Sequence, residues 1–137
     1  MIVEELNTIL NNYTGKKLGY KLNSLYDEFR GGRNPDDLLY LLNSTDKMIG
    51  YGCDICCEIK INDKFMQNKI IEKLQQILAK NKDFYNRERA FSALYGFYMD
   101  NNDITGFNLI CENYKNDSIY DIKYFATNFL KDSGFTL

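Results

Sequence analysis

Three polar breaks recur along the chain, at Asp46, Asp83 and Asp117, separated by 37 and 34 residues. Each falls between a Leu/Ile-rich helical stretch and a second stretch whose inward positions are smaller. Cys53, Cys56 and Cys57 after the first break correspond to Ala90, Ala93 and Leu94 after the second, and less closely to Ile122, Phe125 and Ala126 after the third. A period near 35 residues with two helices per unit predicts an all-α chain built as an α-solenoid. A pair of antiparallel amphipathic helices cannot bury its apolar faces alone, so neighbouring pairs must stack.

The stretch Tyr26–Ile59, YDEFRGGRNPDDLLYLLNSTDKMIGYGCDICCEI, shows how one unit is punctuated. Gly31 and Gly32 stop a helix, because glycine reaches the left-handed backbone needed just past a helix C-terminus. Asn34 offers a side-chain cap, and Pro35 fits the first helical position, where its missing N–H costs nothing. Leu38, Leu39, Leu41 and Leu42 give that helix an apolar stripe. Ser44, Thr45 and Asp46 break it and cap the next, which turns Ile49, Cys53, Cys56, Cys57 and Ile59 inward.

The remaining helices follow from apolar spacing. Val3, Leu6, Ile9 and Leu10 mark a first helix, ending between Asn11 and Gly15. A second runs from about Lys16 to Arg30, with Leu18, Leu22, Leu25, Tyr26 and Phe29 on one face. After Asn62 and Asp63 comes a helix carrying Phe65, Ile70, Ile71, Leu74, Ile77 and Leu78. Lys80 to Asn86 reads as a polar break, with helix resuming at Arg87 around Ala90, Ala93, Leu94 and Phe97. Phe107, Leu109, Ile110 and Tyr114 mark the next helix. Ile122, Phe125, Ala126 and Phe129 mark the last. The domain reading is a single unit, 1–137, with capping helices over 1–33 and repeats over 34–137.

The chain has no histidine, which removes the commonest general base and the commonest metal ligand and lowers the expectation of an enzyme. A formal charge of −2 argues against a nucleic-acid binder. Arg87, Arg89, Lys80 and Lys82 are too few for a phosphate-tracking strip. The N-terminus MIVEELNTIL has neither the basic region nor the apolar run of a signal peptide, and no window reaches the roughly 18 apolar residues of a membrane span. Four cysteines in such a chain are expected to be reduced thiols in the cytosol. The C-x-x-C spacing Cys53–Cys56, with Cys57 and Cys111, could ligate zinc, but small apolar core positions are the expected reading. No metal or cofactor is expected. Gly31-Gly32-Arg33 lacks the Lys-Ser/Thr of a phosphate loop and reads as a helix stop.

Binding candidates come from aromatics and acids on the second helix of each unit. The chain holds 11 Tyr and 9 Phe, and residues 34–58 carry five acids against Lys47 alone. Asp54 and Glu58 face the same way at i, i+4, one turn after Tyr51. Tyr95, Tyr98, Asp121 and Tyr124 fall on later second helices. If these helices line one concave surface, Tyr51, Asp54, Glu58, Tyr95, Tyr98, Asp121 and Tyr124 form a protein-binding patch with aromatic anchors. The competing reading is a solvated helix face with some tyrosines in the core.

DLLYLLNSTDKMIGYGCDICCEI and NKDFYNRERAFSALYGF resemble HEAT-type helical repeats, over roughly Asn34 to Leu130. The pattern departs at Lys47, since the family more often has arginine a few positions past the turn, and later first helices lack proline. The resemblance implies a right-handed solenoid of three to four helix pairs. EFRGGRNPDDLLYLLNSTD further resembles the opening of small bacterial HEAT-like proteins that accompany polymorphic or contact-dependent growth-inhibition toxins. That resemblance implies a cytosolic immunity protein that binds one cognate toxin domain and blocks its active site. The acidic, tyrosine-bearing face adds the expectation that the toxin is a basic nuclease, bound one to one by a monomer. Composition and charge add the expectation of no catalysis, no nucleic-acid partner and no membrane. A general HEAT-like protein-binding scaffold is the alternative, and a HEAT-like alkylpurine glycosylase would need a catalytic Asp and a basic channel.

Overall fold

The computed structural model describes residues 1–133, so the last four positions of the expected repeat region lie outside the described residues. Among the described residues the chain is all-helical: α1 (Ile2–Asn12), α2 (Gly15–Arg30), α3 (Asp36–Leu42), α4 (Asp46–Glu58), α5 (Lys64–Lys80), α6 (Phe84–Asp100), α7 (Ile104–Tyr114) and α8 (Tyr120–Asp132). Side-chain caps start several of them. Thr45 Oγ1 accepts from the Met48 N–H, Asp63 from Phe65, Asp83 from Asn86 and Asp103 from Gly106. Such caps satisfy donors that the first helical turn leaves without partners.

The end of α2 shows how the glycine pair works. Gly32, not Gly31, takes the left-handed backbone, with φ +106°. The Gly32 N–H donates to the Phe29 carbonyl and the Arg33 N–H to the Glu28 carbonyl, which together form a Schellman motif. Asn102 closes α6 in the same way, with φ 54°, through Asn102 N–H to Met99 and Asp103 N–H to Tyr98. Asn34 Oδ1 accepts from the Asp36 N–H at 3.0 Å, and Pro35 is already in helical backbone at φ −63°. Asn34 thus caps the entry, but Pro35 stands one position earlier than expected, at the N-cap before the first helical residue Asp36. Arg33, far from a phosphate site, is held by Glu5, Glu28 and Asp37 and so ties α1, α2 and α3 together.

Packing is pairwise: α3 on α4, α5 on α6, α7 on α8. Second helices meet as well, α4 lying along α6, and α3 touches α5. Both helices of the α4–α6 contact carry small buried residues, Gly50, Cys53 and Cys56 on α4 and Ala90 and Ala93 on α6. Small side chains let the two backbones approach, and Leu38, Leu41, Ile70, Leu74, Leu78 and Phe97 fill the space between helix rows. Burying each such large side chain contributes roughly 1.5–3 kcal/mol.

Several sequence expectations need correction. The sixth helix begins at Phe84, three residues before Arg87, because Asp83 caps it by accepting from the Asn86 N–H. Phe65 is 67% exposed and Met66 is buried in its place; the Asp63 cap starts α5 in a register that aligns Met66, Ile70 and Leu74 inward. Leu109 is 61% exposed and Phe125 40% exposed. Cys57 is exposed while Ile55, passed over in the sequence, is fully buried.

The breaks also join units. Asn86 Nδ2 donates to the Asp46 carbonyl at 2.9 Å, and Asn81 Nδ2 to the Asp46 carboxylate at 3.2 Å. Arg87 donates through Nε to the Leu78 carbonyl and through both terminal nitrogens to Asp117. A basic residue in the first turns of this helix can pair with an acid of the preceding unit. Arg89 does so with Asp54, whereas Arg87 reaches forward to the following break.

Candidate interaction site between α4 and α6

A cavity of about 380 Å³ opens between the N-terminal halves of α4 and α6. Its walls hold Tyr51 and Asp54 from α4, and Tyr85, Asn86 and Arg89 from α6, over a floor at Gly50. Asp46, Asp83 and Lys47 stand at its edge, so three carboxylates face two cations. The helical spacing explains the convergence. Gly50, Tyr51 and Asp54 occupy neighbouring turns on one side of α4, as Tyr85, Asn86 and Arg89 do on α6.

Asp54 Oδ1 pairs with Arg89 Nε at 3.0 Å. Burial nonetheless pushes the Asp54 carboxyl above its usual range, because the cost of drying the charge exceeds the attraction of Arg89. The Arg89 guanidinium also sits 5.6 Å from the Tyr85 ring centroid, a cation–π geometry. Tyr26 of α2 adjoins this group; burial first, then the nearby Asp54 and Tyr51, push its phenol far up.

The structure brings Tyr51 and Asp54 together and distributes the other expected contacts. Glu58, at the end of α4, is paired with Arg30 of α2. Tyr95 packs edge-on against Phe107 and Phe125, with ring centroids 5.4 and 5.2 Å away, leaving only part of its surface exposed. Tyr98 departs from the expected shared surface: it turns toward α5 and α7, accepts from Gln75 Nε2 at 3.2 Å and packs against Phe107. Asp121 and Tyr124 lie exposed on α8, where Tyr124 stacks on Tyr120. Tyr85 and Asn86 were missed because they sit in a segment read as a polar break. The Asp83 cap was the available signal that helix had already begun.

Chemically, the cavity offers hydrogen-bond acceptors, phenols and a fixed guanidinium. The cysteines nearby are not activated. Burial pushes Cys53 to about 12 and Cys57 to about 11, so both remain thiols at neutral pH. Among the described residues no group of three or more Cys, Asp or Glu is arranged to hold a metal ion. No described helix is long and apolar enough to cross a membrane. Compared with known proteins, the chain matches no family model, no curated protein and no solved structure.

Proposed function

We propose that this protein is a non-catalytic immunity protein of the bacterial cytosol that binds a cognate toxin domain, a basic nuclease, and blocks its active site. In this reading the helix pairs form a right-handed, HEAT-like solenoid, a geometry supported by the packing of like helices, α3 on α5 and α4 on α6. The observation that carries the reading is the α4–α6 cavity, where Tyr51, Tyr85, Asp46, Asp54 and Asp83 combine aromatic anchors with an acidic excess. Nuclease active sites are positive to receive phosphate, so such a face complements them and accelerates encounter. A packed helical stack holds the face in place before binding, which reduces the ordering cost of association.

The test is titration calorimetry with the C-terminal domain of a large secreted protein encoded beside this gene. One-to-one binding at nanomolar strength, with loss of that domain's nuclease activity, is the expected result. Absence of binding, or absence of such a neighbour, would leave a general protein-binding scaffold as the better reading.

A further inference from the structure

We propose that the α4–α6 cavity receives a single arginine side chain from the protein partner, a deepening that rests on the interaction reading above. Three features select this chemistry. The first is an acceptor without a donor. Asn86 as a residue is only 2% exposed; among the described residues its Oδ1 accepts no hydrogen bond, while its Nδ2 is committed to the Asp46 carbonyl. That oxygen lies against Gly50 in the cavity floor, 3.0 Å from where a Cβ at Gly50 would stand. The oxygen is not sealed from solvent, so it is an acceptor left free for a donor that enters the cavity.

Charge is the second feature. Three carboxylates against two cations leave one uncompensated negative charge in the lining, and one incoming cation neutralises it. Asp54 uses one oxygen on Arg89 Nε and keeps the other available. The third feature is the wall itself, which already holds a guanidinium of this chain: Arg89 is gripped by a carboxylate and placed over a tyrosine ring. Tyr51 provides a second ring in the same cavity. A planar guanidinium, with five N–H donors and a face that stacks, fits acceptors spread over two helices; a compact ammonium does not use the rings as fully. Gly50 keeps the floor open, because a methyl there would also meet Arg89 Nη1 at 3.1 Å.

The experiment titrates the ¹⁵N-labelled full chain with ethylguanidinium, with ethylammonium as the matched control, by two-dimensional NMR. Saturable shifts at the Gly50 and Tyr51 amides and the Asn86 side-chain amide are expected, with smaller and weaker shifts for ethylammonium. Asp54→Asn weakens ethylguanidinium binding about tenfold or more. Gly50→Ala abolishes it; should that variant fail to fold, Asp54→Asn decides, since Asp54 is only half-buried. No saturation, equal response to both cations, or indifference to Asp54→Asn overturns the proposal. In calorimetry with the toxin domain, undiminished binding to Asp54→Asn overturns the arginine site and leaves the interaction reading intact. Guanidinium binding without any toxin binding supports the cavity chemistry and overturns the partner assignment instead.

Discussion

Arg87 clamps Asp117 with both terminal nitrogens, at 2.7 and 3.1 Å, across two helix pairs. Both side chains are nearly buried, 13% and 11% exposed, and Arg87 Nε also donates to the Leu78 carbonyl. One guanidinium therefore links the end of α5, the start of α6 and the break before α8. Asp117 in turn accepts from the Ile119 N–H, so it cannot shift without loosening the entry to α8.

Breaking this pair leaves a nearly buried charge without its partner, which costs about 3 kcal/mol or more. Asp117→Asn is expected to lose that amount at pH 7 in urea unfolding. The pH dependence has a definite sign. Burial raises the Asp117 pKa, but hydrogen bonds from Arg87 and Ile119, with the Arg87 charge, outweigh it and hold the group below its ordinary 3.8. Its stabilisation is complete above 3.8 and disappears as pH falls through the lower folded value. The gap between wild type and Asp117→Asn thus narrows below pH 3.8. Asp54 acts oppositely: its raised folded value means that stability declines as pH rises from 3.8 through that value.

Gly32 stands at φ +106°, where a side chain is strained even though nothing crowds the position. Gly32→Ala is expected to destabilise by about 1 kcal/mol or more. The replacement of Asn102, at φ 54°, by glycine is expected to be nearly neutral, since it only relieves a conformation that asparagine tolerates. Midpoints of chemical unfolding at constant m-value check both; a neutral Gly32→Ala would contradict the Schellman end of α2.

Truncation separates the two faces of α5. Ile70→Ala removes a fully buried side chain and is expected to cost about 2–5 kcal/mol. Phe65→Ala removes a larger but mostly exposed ring and is expected to change stability by about 0.5 kcal/mol or less. The reverse order would mean that the register of α5 is wrong.

Thiol labelling tests the cysteine positions. Cys53, Cys56 and Cys111 are buried and Cys57 is exposed. One thiol per chain should therefore react in the folded protein at pH 8, slowly because burial of its sulfur holds Cys57 near 11, and three more on unfolding. Rapid labelling of all four would overturn the core assignment.

Local punctuation was legible in the sequence because its causes are local. Asn34–Pro35, Gly31–Gly32 and the cap at Thr45 act within a few residues, and short-range chemistry defines them. The side of α5 that faces inward was harder to read: Phe65 and Met66 are both apolar, and only the cap register and the neighbouring α6 choose between them. The candidate site was half legible. Tyr51 and Asp54 stood out by composition, but their partners Asn86 and Arg89 lie on another helix more than thirty residues along. That meeting is a product of tertiary packing, as is the turn of Tyr98 toward α5 and α7.

The Arg87–Asp117 clamp has a consequence for how the molecule opens. Helices α7 and α8 pack on each other and reach the rest mainly through α6, so the clamp is a principal polar tie holding this terminal pair. Elements with few outward contacts form the lower-stability cooperative units of a protein. The amides of α7 and α8 are therefore expected to exchange with solvent deuterium as one group, ahead of those at the α4–α6 seam. The cavity between α4 and α6 is thus expected to lie in the part of the chain that stays closed longest, insulated from breathing at the C-terminal end.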